Sequence, residues 1–288
     1  MPGTLFVVAT PIGNLGDLSP RAVEILKNAA LIACEDTRTS RTLLVRFGIA
    51  TRSVALHEHN ERAAAAALID ALRSNGDVAL ISDAGTPAIS DPGARLVDAA
   101  HRAGIRVVPV PGPNAAVAAF SASGFPAERF LFAGFLPSSP GARRKSIAAL
   151  ARGFDHGCAL ILYEAPHRIR ATLADLAAGC GADRAVAIGR ELTKKFEEMA
   201  RMPLGAALAW LDDRPQREQG EFVLVIAPGD GSVDRNPGSL DADHILATLL
   251  EKLGPSDAAK LAARLTGQAR KALYARALEL AGRDPRAR

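Results

Sequence analysis

Along most of the chain, short unbroken apolar runs alternate with longer segments whose apolar residues recur at helical spacing. The first runs are TLFVVAT (4–10), LIAC (31–34), DVALIS (77–82) and RVVPV (106–110). A second set follows: FLFAGF (130–135), CALILY (158–163), AVAIG (185–189) and EFVLVIA (221–227). Each has the length of a strand and is apolar on both faces, as expected of strands in a sheet covered on two sides. The segments between them carry helix punctuation. Ser19 caps and Pro20 opens a helix reaching Ala29. Asn60 caps one ending near Ser74 with Gly76 as its stop, and Asp91 caps one ending at Ala103 before Gly104. Further helical patterns cover 141–152, 167–178 and 204–211. Alternating strands and helices predict an α/β fold with mostly parallel sheets.

The series runs twice, with a break near ASGFPAERF (122–130). Two α/β domains are therefore expected, 1–122 and 123–230, with a ligand cleft between them. The texture changes at PGDGSVDRNPGSLD (228–241), a Gly/Pro/Asp stretch that reads as a linker over 231–242. Beyond it only helical patterns remain, at 243–253, 256–265 and 269–280. From Lys260 onward eight Lys and Arg face two acids. Helix, Gly turn and helix in KLAARLTGQARKALYARAL suit a basic, helix-turn-helix-like module over 243–288. A solvated helical cap is the other reading of the same residues.

Composition narrows the function classes. The 288 residues are 48% hydrophobic and 23% charged, ordinary for a globular protein. The formal net charge of +4 permits an anionic partner. Aromatics make up only 5%, which argues against binding nucleic acid mainly by base stacking. Cys34, Cys158 and Cys180 have no paired spacing, so neither a disulfide framework nor a zinc site is expected, and a cytoplasmic location is. The opening MPGTLFVVATPIGN has no basic n-region and does not read as a signal peptide. No stretch approaches the roughly 18 apolar residues of a membrane span.

In parallel α/β sheets ligands sit at the carboxyl ends of strands, and the loops there are unusual. ISDAGTPAISDPG (81–93) is far longer and stiffer than a connection needs to be. ATPIGNLGDLSP (9–20) holds two glycines near a helix start but is neither G-x-G-x-x-G nor a phosphate loop. CEDTRTSR (34–41) places two acids beside two Arg at a strand end. LHEHNE (56–61) has two His at i and i+2 but no clear third ligand, so no metal site is expected. In VPGPNAA (110–116) a helix of small residues starts at or just before Asn114, leaving backbone N–H groups approachable, although tight helix packing would use the same residues. YEAPHRI (163–169) and RELTKKFEE (190–198) put charges directly beyond strands of the second series.

Taken together, ATPIGNLGDLSPRA, EDTRTSRTLL, HEHNE, SDAGTPAISDPG, VPGPNA, YEAPHRI and RELTK resemble the tetrapyrrole methylase superfamily, in its branch that methylates small-subunit ribosomal RNA. The likeness spans about 3–227, and the C-terminal helices resemble that branch's tail. The resemblance implies two α/β domains with an interdomain cofactor cleft, S-adenosylmethionine as methyl donor, and the 2′-hydroxyl of a decoding-centre cytidine in 16S rRNA as acceptor. It implies a homodimer. Carried over by motif, the donor site comprises Pro11, Asp83, Ala84, Gly85, Ile89, Ser90, Asn114, Ala115, Tyr163 and Ala227. A base for the ribose hydroxyl is sought among Glu58, His59, Glu164 and Glu191. Arg38, Arg168, Arg190 and Lys194 are candidates for phosphate or sugar contacts, with Arg143, Arg144 and Lys145 of SSPGARRKS and Arg270 and Lys271 of the tail. For Glu164, Arg190 and Glu191 an interdomain salt bridge is an equally good reading. A tetrapyrrole acceptor, or an RNA-binding protein without catalysis, are the alternatives to this function.

Overall fold

A computed structural model describes residues 2–57, 60–153, 157–229 and 242–282. The chain divides into two compact units, Met1–Gly229 and Asp230–Arg288.

The first unit holds two five-stranded sheets. In the first, β1 (Thr4–Val8), β2 (Leu31–Cys34), β3 (Ser53–Ala55), β4 (Val78–Leu80) and β5 (Arg106–Val110) lie in the order β3-β2-β4-β1-β5. All its pairings are parallel. Helices α1 (Pro20–Asn28), α2 (Thr37–Arg46), α3 (Glu61–Arg73) and α4 (Ala94–Arg102) connect these strands. Successive residues of β1 and β4 alternate between two cores: Leu5, Val78 and Leu80 pack with Leu68, Leu72 and Leu96, while Val8 and Ala79 pack with Leu26 and Leu43. Covering both faces is why these strands read as unbroken apolar runs.

The second sheet has β6 (Arg129–Phe135), β7 (Cys158–Glu164), β8 (Ala185–Arg190), β9 (Glu198–Pro203) and β10 (Phe222–Ile226) in the order β6-β7-β10-β8-β9. Helices α6 (Pro140–Gly153), α7 (Ile169–Cys180) and α8 (Ala207–Asp212) supply residues to the core on one face. The other face is covered by α5 (Ala115–Ser123), whose Ala116 and Ala119 pack against Ile161, Ala187 and Val225. This sheet refines the expectation of parallel strands. β6 and β7 pair parallel, but β10 runs antiparallel to β7 and β8, and β9 antiparallel to β8. Two strands were not expected at all. β3 has three residues, and β9, EMARMP, is an edge strand without an apolar run. An edge strand need bury only part of its surface, so periodicity does not reveal it.

Helix caps divide between expectation and correction. Ser19 accepts from Ala22 N–H and Asn114 from Val117 N–H, as their positions predict. Asn60 stands at the start of α3, but its side chain is spent on His57 N–H and the Ala55 carbonyl. Asp91 does not cap α4. Buried Glu61 does so from another helix, accepting from Gly93 N–H (2.9 Å) and Arg95 N–H (3.1 Å). After α3 the left-handed residue is Asn75, not Gly76.

In the second unit, α9 (Ala242–Leu250), α10 (Pro255–Thr266) and α11 (Arg270–Ala281) enclose a small core of Leu246, Ala258, Ala259, Ala262, Leu273 and Ala277. Gly267 takes the left-handed conformation (φ 71°) that ends α10 before the turn into α11. Arg276 ties α11 to α9 through Asp243 (2.6 Å).

Candidate functional site

A cavity of about 370 Å³ opens between the two sheets of the first unit. Its floor is the 81–93 loop, contributing Ala84, Gly85, Ile89, Ser90 and Asp91; Asn114 and Ala115 come from the start of α5. The second sheet supplies Phe135, Tyr163 and Val223, and the loop after β8 supplies Leu192.

The floor is pinned along its length. Gly85 and Thr10 exchange backbone hydrogen bonds (2.8 and 3.1 Å), and the Thr10 hydroxyl donates to the Ser82 carbonyl (3.1 Å). Thr86 donates to the Pro113 carbonyl (3.1 Å), joining this loop to the next strand-end loop. Gly85 sits at φ 80°, where a Cβ would press on Ile12 at 3.3 Å. Ala88 and Ser90 also have positive φ (66° each), and so do Glu191 and Thr193 on the facing loop (50° and 66°). Non-glycine residues held this way cost of order 1–3 kcal/mol each and persist where surrounding structure over-determines them. The 9–20 loop also packs against the facing loop. A Cβ on Gly13 would fall 2.4 Å from the Lys194 side chain.

Asp91, expected as a helix cap, instead lines the cavity. Burial, then the nearby Glu35 and Asp83 carboxylates, push it up to about 6, against a partial offset from the Ser82 hydroxyl. No ion pair forms at Asp91 among the described residues. Tyr163 projects from the end of β7, its ring edge-on to Phe132 (centroids 4.8 Å apart) and Phe135 (5.7 Å). Its hydroxyl accepts from Ala116 N–H in the first turn of α5 (3.2 Å), and burial raises the phenol above its ordinary range.

The sequence candidates separate into distinct settings. Ala84, Gly85, Ile89, Ser90, Asn114, Ala115 and Tyr163 come together on the cavity wall. Pro11 is buried beside Ile12, which is the residue that faces the cavity. The Asp83 carboxylate accepts from Asp36 N–H (3.1 Å), away from the lining. Ala227 lies at the far end of the second sheet. Because β10 is antiparallel, its first residue Phe222 pairs with Glu164 at the cavity, while Ile226 pairs with Leu160.

Glu164 is fully buried and spent on Thr172 Oγ1 (2.6 Å), Ala165 N–H (2.8 Å) and Arg168 (3.1 Å). Glu191 accepts from Lys194 (2.9 Å) and Glu221 N–H (2.9 Å). Burial alone would raise its carboxyl; these contacts outweigh it and hold the group below the usual range. The Lys194 and Glu221 hydrogen bonds both fall on Glu191 Oε1, and Glu164 also lines the cavity. Glu58 and His59 lie outside the described residues.

Several cations are equally committed. Arg190 is buried and donates to the carbonyls of Gln219, Phe196 and Gln216 (2.7–3.0 Å). Arg143 is buried against Asp175 (2.7 Å), and Arg168 donates to the Leu136 carbonyl. Lys194 bridges Glu191 and Glu221. Arg38, Arg144, Lys145, Arg270 and Lys271 are exposed. Ile12, Phe135, Leu192 and Val223 were not singled out from sequence, because nothing distinguishes an apolar cavity residue from a core residue before the fold is known. Among the described residues no group of three metal-ligating side chains converges.

Comparison with known proteins places this architecture. The family model for tetrapyrrole (corrin/porphyrin) methylases matches residues 4–208, and one described as the RsmI C-terminal HTH domain matches 236–281. The chain is 50% identical to ribosomal RNA small subunit methyltransferase I of Xylella fastidiosa strain Temecula1, over 95% of this chain and 98% of that protein. It is 46% identical to the protein of the same name from Pseudomonas aeruginosa strain PAO1, over 98% and 99%. Among solved structures, uroporphyrin-III C-methyltransferase from Thermus thermophilus complexed with S-adenosylhomocysteine shares the fold, with a TM-score of 0.53 at 18% identity, over 79% of this chain and 98% of that one. With the sheet pair, the cavity between the sheets and the helical tail all accounted for, the chain belongs to the tetrapyrrole (corrin/porphyrin) methylase family, in the branch of the ribosomal RNA small subunit methyltransferases I.

Proposed function

We propose that this chain transfers a methyl group from S-adenosylmethionine to the 2′-hydroxyl of a cytidine in the decoding centre of small-subunit ribosomal RNA. The observation that carries the reading is the pre-pinned 81–93 loop forming the floor of the cavity between the sheets. The residues there fit the donor. A volume of about 370 Å³ lies in the range of small-molecule sites. Ile12, Ile89, Leu192 and Val223 offer an apolar wall to the donor's adenine ring and methionine methylenes, and Asp91 offers a negative charge to a cationic ligand. The donor's sulfonium, when bound, supplies an electrophilic methyl group.

What the protein contributes is placement. The Thr10, Thr86 and Glu61 contacts hold the floor before any ligand arrives, so less entropy is lost on binding. Tyr163 anchors the first turn of α5, keeping one wall in position against the second sheet. Alignment of acceptor, methyl carbon and leaving sulfur within a closed site is worth several kcal/mol by itself. Exposed Arg38, Arg144, Lys145, Arg270 and Lys271 are the cations we assign to the RNA backbone.

The relatives' names supply the acceptor class, and the tetrapyrrole-acting family members supply the competing one. One assay separates them. The full chain is incubated with labelled S-adenosylmethionine and, in parallel, unmethylated small subunits, naked rRNA and a precorrin. Label in the rRNA of either RNA sample, resistant to alkali at a cytidine, is expected. Label in the precorrin alone would replace the acceptor, and label in none would favour a non-catalytic RNA-binding protein. We assign the enzyme to the cytoplasm; no helix among the described residues is long and apolar enough to cross a membrane. We also propose a homodimer, for which exposed Phe130 and Leu131 on the edge strand β6 offer a surface, and sedimentation velocity tests it.

A further inference from the structure

A second concavity, of about 500 Å³, lies on the flank of the first sheet between α2 and the edge strand β3. Arg38, Arg41 and Arg52 line it together with Thr37, Thr51 and Ser53, and Leu44 and Ile49 form an apolar base. No carboxylate is among its lining residues. Arg38 pairs with Asp36 (3.0 Å), while exposed Arg41 and Arg52 make no ion pair among the described residues.

A groove between α3 and α4, whose helices pack into the other core of the first sheet, gives a partial contrast. Of its four arginines, Arg102 is matched to Asp98 (2.9 Å), Arg95 to Glu61 (3.5 Å) and Arg73 to Asp70 (3.8 Å), and Arg62 makes no ion pair among the described residues. There three of four guanidiniums are matched; beside α2 one of three is. Like charges gathered in a concavity without counter-charges repel one another, and an anion removes that cost. Guanidinium groups beside hydroxyls match phosphate oxygens in particular.

Position selects the source of the phosphate. The upper end of the groove adjoins the start of the 81–93 loop, since Asp36, the N-cap of α2, donates its N–H to Asp83 (3.1 Å), the residue before the cavity-lining Ala84. From there α2 runs ten residues, ~15 Å, down the flank. Resting on the function proposed above, we propose that the α2–β3 groove is a docking track for the RNA sugar–phosphate backbone leading to the methyl-transfer cavity.

The test uses the full chain carrying Arg41→Ala and Arg52→Ala, with Arg73→Ala and Arg102→Ala as the control pair. Affinity for small-subunit rRNA is measured across salt from about 50 to 200 mM, beside calorimetric titration with S-adenosylmethionine. Loss of two phosphate contacts lowers the slope of log K against log salt by about 1.4–1.8. At ~0.1 M salt this corresponds to roughly 25- to 60-fold weaker binding relative to a 1 M reference. Donor affinity stays unchanged, the control pair keeps the wild-type slope, and Arg41→Lys with Arg52→Lys restores most of it. An unchanged slope, or an equal loss in the control pair, overturns the proposal. So does saturable binding of inorganic phosphate that the variant loses while its RNA slope stays put, because the groove is then a small-anion site. Label transfer to rRNA by the wild type is read separately, so failure of the function and failure of the track are distinguishable.

Discussion

Asp91→Asn in the donor-free protein tests whether the cavity stores an unpaired charge. The carboxyl is pushed from an ordinary 3.8 to about 6, first by burial and then by Glu35 and Asp83. A difference of about two units is worth ~3 kcal/mol at 1.36 kcal/mol per unit. Asp91 is only half-buried, and solvent screening reduces this to about 1–2 kcal/mol. The folded form holds its proton more tightly than the unfolded chain, so between pH ~4 and ~6 the native state binds more protons and stability falls as pH rises. The cost is absent below pH ~4 and complete above pH ~6. Asp91→Asn should therefore melt higher than wild type at pH 7.5 by roughly 2–8 °C for a unit of this size, and the gap should close on acidification. Calorimetric scans from pH 4 to 8 without donor read this directly. A variant that melts at or below wild type at pH 7.5 would refute the reasoning. The same variant should bind S-adenosylmethionine more weakly, a pattern of gained stability and lost ligand affinity that a purely structural aspartate does not produce.

Three further outcomes follow from the site. Glu61→Ala strands the Gly93 and Arg95 N–H groups at the start of α4 and should cost about 2–3 kcal/mol in denaturant unfolding; a change under ~0.5 kcal/mol would mean the cap is idle. Tyr163→Phe removes the acceptor of Ala116 N–H, costing about 1 kcal/mol and a severalfold loss of donor affinity by calorimetry, whereas unchanged affinity would detach Tyr163 from the site. Removing 241–288 should weaken rRNA binding and leave donor binding intact, and equal activity of short and full chains on small subunits would show the basic helices to be dispensable.

Much of this was legible in the chain because local chemistry and global role agree there. The 81–93 loop announced itself by length and by its Gly, Pro and Asp content, and it is the cavity floor. The small residues after Asn114 announced a close-packed helix start, and Asn114 caps α5. Asp91 departs from its expected role. An Asp just before a helical pattern is a good N-cap by statistics, but here a buried glutamate thirty residues upstream takes that role, freeing Asp91 for the cavity. Only tertiary contact could reveal that exchange. Commitments of charged residues at strand ends are hidden in the same way. Arg190, directly beyond a strand, reads equally as a phosphate contact or an interdomain salt bridge, and only the fold shows its guanidinium donating to three carbonyls of the 216–219 turn and the 191–197 loop.

The placement of Ala227 exposes the assumption beneath the strand-end rule. In a wholly parallel sheet every carboxyl end lies on one edge, and a ligand cleft draws from that edge alone. The first sheet obeys this, and its loops after β4 and β5 both reach the cavity. In the second sheet β10 is reversed between β7 and β8. The edge that presents the ends of β7 and β8 therefore presents the beginning of β10, and Glu221, Phe222 and Val223 line the cavity instead of Ala227. Strand direction is invisible in an apolar run such as EFVLVIA, which reads the same for either orientation, because both faces of the sheet are covered. What could betray it is asymmetry at the two ends. Glu221 at the start meets Lys194, and the Glu221 N–H meets Glu191, tying the beginning of β10 to the RELTK loop. At the other end, Ala227 offers only backbone, to Ala185 and Arg184. Charged residues preceding an apolar run, matched to charges following another, thus argue for a reversed strand and for a site at its start.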